Sequence, residues 1–283
     1  MNGIFLIDKE VGMTSYDVIR KLKKKFNVKK IGHAGTLDPF ATGLLVILMG
    51  HATKLSSYFL TSDKSYETTI EFGKKTNTYD HTGDVIESND KVITLEDIQR
   101  VLPKMTHYQQ EPPMVSARKV NGKKLYELAR QGIEIERDKR DVYIHKQDII
   151  SYEFPYLNIA LSVSKGTYIR SYAMDVAAQL NTVAMLKTLR RIKSGAFHLQ
   201  NAKVLDDISI EDLIPIEELL EAYPKIVVSD YIADKVKHGM LLDQRQYHKQ
   251  EPFRVYNQSN QMIAFYEPIG QNQFKIVFYN EES

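Results

Sequence analysis

Gly32-His33-Ala34-Gly35-Thr36-Leu37-Asp38-Pro39-Phe40-Ala41-Thr42-Gly43-Leu44-Leu45 is the stretch on which the reading of this chain turns. Its three glycines give the backbone access to left-handed angles and leave room for another segment to approach closely. Pro39 biases Asp38 away from the helical region toward an extended conformation. Asp38 is the only acid in the stretch, and the apolar run Leu44-Leu45-Val46-Ile47-Leu48-Met49 behind it reads as a fully buried strand. One carboxylate is thus presented on a stiffened loop that leads straight into the core, which is the support a positioned reactive group needs.

The rest of the chain can house such a site. At 283 residues and 43% apolar content it has enough material for one large domain and a small one. The absence of cysteine excludes disulfides and thiolate metal sites. No basic leader precedes the first apolar stretch, Met1 to Asp8, and the run Leu44 to Met49 is far short of the ~20 apolar residues that cross a bilayer. These features predict a soluble cytoplasmic protein with no membrane partner. The net charge of +2 conceals an asymmetry: residues 205–283 hold 7 Lys/Arg and 14 Asp/Glu, so residues 1–204 hold 31 and 22 and carry the positive excess. A basic body suits a polyanionic partner such as nucleic acid.

Outward from the Asp38 loop, Gly3 to Ile7 reads as a strand. Thr14 or Ser15 caps a helix to about Phe26, with Val18, Ile19, Leu22 and Phe26 on its apolar stripe. Lys21, Lys23, Lys24 and Lys25, followed by Lys29 and Lys30, form either a solvated face or a phosphate-facing ridge. Ala52 to Leu60 is expected as a short helix, and Lys64 to Gly73 alternates as a strand. Thr76 to Asp84 is a polar loop. Its Asp80, His81 and Asp84 lack a further ligand at a recognised spacing, so no metal site is expected. Thr94 and Asp97 form a capping box that opens a helix ending at Pro103. Gln109 to Ala117 is a proline-stiffened connection, followed by a helix ending at Gly132. Val142 to Phe154 and Leu157 to Val163 are strand-like, and a helix runs through Leu180. Asp206 to Glu221 is acidic and reads as a helix that buttresses the body. A boundary is placed near Tyr223-Pro224, after which short strands alternate, as in Met262 to Tyr266 and Phe274 to Phe278.

Several separated blocks carry a common signature. They are the stretch Gly32 to Gly43, the turn Lys9-x-x-Gly12-x-x-Ser15, the strand Lys64-x-Tyr66, the segment Ser164-Lys165-Gly166-Thr167-Tyr168-Ile169-Arg170, and the block Leu189-Arg190-Arg191-Ile192-Lys193-Ser194-Gly195-Ala196-Phe197. Together they resemble the TruB family, the tRNA pseudouridine synthases that act on the T-loop uridine at tRNA position 55. The resemblance implies an α+β fold, with a mixed, largely antiparallel sheet of the pseudouridine synthase type and flanking helices. Residues 1–224 would form the catalytic domain and residues 225–283 a small PUA-like β unit, whose opening His238-Gly239 resembles. It also implies Asp38 as catalytic nucleophile, with Tyr66 packed against the base and Arg170 paired to the aspartate. His33, Tyr168, Leu189 and Lys9 would bind the substrate. The implied partner is the T stem-loop of tRNA, handled by a monomer. Arg118, directly after the Pro112-Pro113-x-x-Ser116-Ala117 segment, departs from the family pattern.

The reaction breaks the N1–C1′ bond of uridine, rotates the base and joins C5 to C1′. It exchanges neither electrons nor external groups, so no cofactor and no metal are expected. Asp38 can attack C6 of the ring or C1′ of the ribose, or remove a ribose proton. An arginine beside it favours the charged carboxylate. Tyr66 is also placed to deprotonate C5, and the base must leave its stack to be reached. Two other classes remain. A non-catalytic RNA chaperone would use the same surface but has no need of Asp38, Tyr66 and Arg170 together. A sugar hydrolase would ordinarily need a second carboxylate near Asp38.

Overall fold

The computed structural model describes residues 2–114, 119–120, 123–124, 135, 137–270 and 272–280, with backbone alone for residues 119, 120, 123 and 124. The segment Val115 to Arg118 and the helix expected to end at Gly132 lie outside the described residues. Lys119–Val120 and Lys123–Lys124 pair as a short antiparallel ribbon.

The core element is the strand that follows the Asp38 loop. In chain order, β1 spans Gly3–Lys9, α1 Ser15–Phe26, β2 Thr42–Met49, α2 Ser56–Leu60, β3 Lys64–Phe72 and α3 Leu95–Val101. These are followed by β4 at His107–Gln110, β5 at Arg140–Glu153, β6 at Tyr156–Val163, α4 at Ile169–Gln179 and β7 at Ala184–Ser194. The main sheet runs Lys203–Val204, β1, β2, β7, β3, β6, β5, β4. Only the Lys203–Val204/β1 and β2/β7 pairings along this path are parallel. The body is therefore the expected mixed, largely antiparallel sheet.

The continuous apolar run of β2 is explained by cover on both faces. Leu45, Ile47 and Met49 join a cluster with Val18 and Leu22 of α1 and with Tyr172 and Val176 of α4. Leu44, Val46 and Leu48 join a second cluster with Tyr256, Met262, Phe265 and Phe278. β1 alternates likewise, with Phe5 and Ile7 on the first face and Ile4 and Leu6 on the second. A strand buried on both sides has no polar face to show. β6, at the far side of β3, needs only one such face: Leu157, Ile159, Leu161 and Val163 all enter the first cluster, as their alternation predicts.

Thr14 rather than Ser15 caps α1. Its side chain accepts from the Asp17 N–H while Asp17 accepts from the Thr14 N–H, and Thr94 and Asp97 repeat the arrangement at α3. Ser15 instead ties the start of α1 to the Asp38 loop, its Oγ accepting from the Leu37 N–H at 2.9 Å. Gly50–Leu55 is a 3₁₀ turn, so the helix expected from Ala52 starts as α only at Ser56.

The expected helix over Asp206 to Glu221 does not form. The segment holds a 3₁₀ turn at Ile210–Asp212, a short strand at Ile214–Pro215 paired antiparallel to β1, and one helical turn at Ile216–Leu219. Pro215 is the reason: it lacks an N–H and forces Ile214 into an extended conformation. The segment does brace the body, with Ile216 and Leu220 buried in the second cluster.

A second sheet of five strands lies within residues 225–279, in the order Lys225–Val227, β8 (Phe253–Tyr256), β9 (Met262–Gly270), β10 (Gln273–Tyr279), Leu242–Asp243. It has its own cluster, centred on Phe253, Tyr266 and Phe274, and is the small PUA-like β unit. Tyr58 of α2 reaches it, donating to Glu267 at 2.5 Å. Among the described residues no helix is long and apolar enough to cross a membrane.

Candidate active site

Asp38 sits on the loop between α1 and β2, on the same side of the sheet as the first cluster, to which its neighbours Leu37, Phe40 and Ala41 belong. The loop is fastened at several points. The Gly12 N–H donates to the Pro39 carbonyl at 2.8 Å, and the Ala41 N–H to the Asp38 carbonyl at 3.1 Å. Arg191, on β7, is buried beneath it. Its Nε donates to the Leu44 carbonyl at 2.7 Å, Nη1 to Thr36 at 3.2 Å and Nη2 to Gly35 at 3.1 Å. Gly43 lies against the same residue from the other side. Its φ is +97°, and a Cβ there would stand 2.4 Å from the Arg191 carbonyl oxygen, so only glycine fits.

Arg170 stands in the first turn of α4, directly after the N-cap Tyr168 and Ile169. Its side chain is 3% exposed and meets Asp38 with two parallel contacts, Nε to Oδ2 at 2.9 Å and Nη2 to Oδ1 at 3.0 Å. Nη1 donates to the Thr78 carbonyl at 2.9 Å. The fork therefore fixes both oxygens of the carboxylate, a geometry available to arginine and not to lysine. Asp38 itself is recessed but open, with 36% of its side chain reaching solvent.

Asp80 is the member of the site that sequence reasoning missed. The loop Thr76 to Asp84 is stapled to β7 by two backbone bonds, His81 N–H to Leu186 and Leu186 N–H to Tyr79. This places the buried Asp80 with Oδ2 3.6 Å from Arg170 Nη1. Its other oxygen accepts from Thr78 Oγ1 at 2.9 Å and from the Thr82 N–H at 3.0 Å. Phe40 stacks edge-on against His81, so the loop walls one side of the site. The only local signal was a run of hydroxyl and acidic residues, and the partner that gives it meaning lies ninety residues away in Arg170.

The electrostatics of Asp38 differ from the simple expectation. Burial pushes its pKa above the ordinary carboxylate value. Arg170 pulls it back, Asp80 adds to the rise, and Lys9 opposes it. The arginine thus offsets the loss of hydration without overcoming it.

The other expected residues divide. Tyr66 on β3 is nearly buried in the first cluster and lies directly across from Arg191 in the strand register. Opposite residues of an antiparallel pair share a face, so Tyr66 looks toward the Asp38 loop. Leu189, two residues before Arg191, is on that face as well. Tyr168 is half-buried, with its N–H held at 2.7 Å by Gln110 Oε1. His33 is partly buried. Burial first and Arg191 second lower its pKa, and the Gly35 N–H points at its Nδ1 at 3.3 Å. Lys9 is a correction. Rather than facing a substrate, it is fully buried, and its Nζ donates to the carbonyls of Glu10, Met13 and Pro39. Burial lowers its pKa to about 8, and it holds the Asp38 loop from below.

The sequence profile described as TruB family pseudouridylate synthase, N-terminal domain, matches residues 23–169. The tRNA pseudouridine synthase B of Acholeplasma laidlawii is 43% identical over 285 residues, covering 98% of this chain and 99% of that one. This chain belongs to the TruB family. Another relative of the same name, from Onion yellows phytoplasma, is 40% identical and covers 97% of the chain and 98% of its own length. Among solved structures, a Cbf5-Nop10-Gar1 complex superposes with a TM-score of 0.71 at 21% identity over 99% of this chain and 84% of that one, a likeness of fold. The TruB-family assignment makes the chain a pseudouridine synthase. Tyr66 and Leu189 lie on the face of the sheet that bears the Asp38 loop.

Proposed function

We propose that this TruB-family protein isomerises the T-loop uridine of tRNA, position 55, to pseudouridine, with Asp38 as the nucleophile. The observation that carries the reading is the recessed, solvent-reached carboxylate held at both oxygens by a buried arginine. A carboxylate stripped of part of its hydration and fixed in direction is suited to covalent attack. Attack at C6, attack at C1′ and removal of a ribose proton all begin from this one aimed oxygen. Tyr66 stacks on the extruded base and is placed to take the C5 proton. Tyr168 and Leu189 wall the pocket, and His33 lies beside the nucleotide. The base is rearranged within one nucleotide, so the chemistry needs no cofactor. Residues 1–224 act as the catalytic domain and residues 225–283 as a PUA-like domain. The protein works in the cytoplasm as a monomer on the T stem-loop.

Asp38→Asn tests the reading. The amide keeps the shape and removes the charge. A T stem-loop transcript should lose conversion below detection while its affinity changes only a few-fold, because phosphate contacts and stacking lie elsewhere. Nucleoside composition and a binding isotherm on one folded preparation decide it. Pseudouridine formed near the parent rate would remove Asp38 from the chemistry.

A further inference from the structure

A pocket of about 460 Å³ opens beside the Asp38 loop and has no part in the mechanism above. Its cationic wall is Lys139, Arg140 and Lys165, its apolar wall is Leu60, and Gly166 forms its edge. Two contacts join it to the site. Leu60 Cδ2 lies 3.8 Å from where a Cβ on Gly35 would stand, so it faces the loop that carries Asp38. The Arg140 guanidinium carbon lies 6.0 Å from the centre of the Tyr168 ring, two residues before Arg170. Gly166 takes φ +78°, and a Cβ there would be 2.9 Å from Arg140 Nη1, so the glycine leaves the guanidinium its place.

The charge of the pocket narrows the ligand. Among the described residues Lys139, Arg140 and Lys165 line the pocket together, and the Asp175 carboxylate acts on Lys139 only through its field. The two acids in the lining are Asp138 and Asp141, and Asp141 lies 3.3 Å from His107 Nε2. Three cations in the lining against two acids suit an anion of low charge, such as a single phosphodiester, better than a dense polyanion such as a triphosphate. An arginine fork with two mobile ammonium groups recognises phosphate oxygens, and the Leu60 side offers contact to a ribose or base face. We propose that this pocket is a phosphodiester subsite, which takes the phosphate of a nucleotide flanking the uridine in the RNA bound at Asp38. The proposal rests on the RNA-isomerase reading and adds the contact that sets the path of the strand on leaving the pocket of the flipped base.

The test reads binding alone, so its outcome stands apart from whether pseudouridine forms. Lys139 and Lys165 are exposed, so Lys139→Gln/Lys165→Gln should melt with the parent. Affinity for a T stem-loop should fall roughly 5–30-fold at low salt, and the slope of log K against log salt should become shallower by about 1. A second arm places one neutral methylphosphonate at each linkage around the target uridine in turn. In the parent one flanking linkage should weaken binding several-fold. In the double variant neutralising that same linkage should have no further effect, while the other linkages keep theirs. Inorganic phosphate at millimolar concentration should not restore affinity to the variant. An unchanged salt slope, or losses that add at every linkage, would overturn the subsite. A parent that binds and shows the coupling but makes no pseudouridine would sink the proposed reaction and leave the subsite standing.

Discussion

Replacing Arg170 by lysine keeps the positive charge and removes the fork. The guanidinium spends Nε and Nη2 on the two oxygens of Asp38, at 2.9 and 3.0 Å, and Nη1 on the Thr78 carbonyl, at 2.9 Å. An ammonium ion is a compact donor on a shorter stem and can serve one Asp38 oxygen. The change therefore removes one charge-assisted bond, worth about 1.5–3 kcal/mol, and takes from the half-buried Thr78 carbonyl its Arg170 donor, worth about 1–3 kcal/mol. Relaxation recovers part of this, so a loss of about 2–5 kcal/mol in stability is expected, or roughly 3–9 °C in melting temperature. The effect on rate is larger. A carboxylate tied at one oxygen turns about its own axis, and misplacement of a reacting atom by ~1 Å lowers rate about 100-fold. Single-turnover conversion of a saturating T stem-loop, with melting and a binding isotherm on the same preparation, measures all three. A folded Arg170→Lys protein that reacts within threefold of the parent would show that the second contact to Asp38 does not aim it.

Asp80→Asn removes a like charge near Asp38, so the Asp38 pKa should fall and the acid limb of the pH–rate profile should move to lower pH; an unmoved limb refutes the coupling. In the parent, that acid limb should lie above the ~3.9 of an ordinary aspartate, because burial raises Asp38, and a rate that stays flat down to about pH 4 would contradict it. A folded-state pKa above the unfolded one gives a stabilising contribution that is complete below the unfolded value and lost as pH rises through the folded value. Asp38→Asn, neutral throughout, should therefore gain in melting temperature relative to the parent between about pH 4 and neutrality, and a constant difference over that range would refute the sign. Neutralising Lys23, Lys24 and Lys25, all exposed near the end of α1, should weaken RNA binding and flatten its salt dependence; an unchanged slope returns that face to a solubilising role.

Much of this was legible in the residues, for physical reasons that differ from place to place. A run such as Leu44 to Met49 has only one stable disposition, covered on both sides, and the helices α1 and α4 on one face and the second cluster on the other supply the cover. Alternation at Leu157 to Val163 shows one-sided burial directly. The pairing of Asp38 with Arg170 followed from family resemblance, since nothing local to either residue points to the other across the intervening chain. Asp80 was missed because its loop gains its position from β7, through backbone bonds that any sequence can make. Lys9 and Arg191 were hard to place for a shared reason. A lysine or arginine ordinarily marks solvent. These two are buried, with backbone carbonyls as hydrogen-bond partners, and carbonyls leave no trace in side-chain identity. In the segment Asp206 to Glu221 the acidic composition points to a helix, and the one residue that speaks against it, Pro215, decides the outcome.

The three carbonyls gathered by Arg191 have a consequence for how this loop can change over time. Surface loops generally tolerate added residues, since lengthening an open loop costs little in closure entropy. Here one guanidinium grips the chain at Gly35 and Thr36 and again at Leu44, so residues 36–44 are closed into a ring of fixed circumference by non-covalent bonds. An extra residue anywhere between the grips would have to bulge outward or release one of them. Length variation among relatives should therefore stop short of the ring.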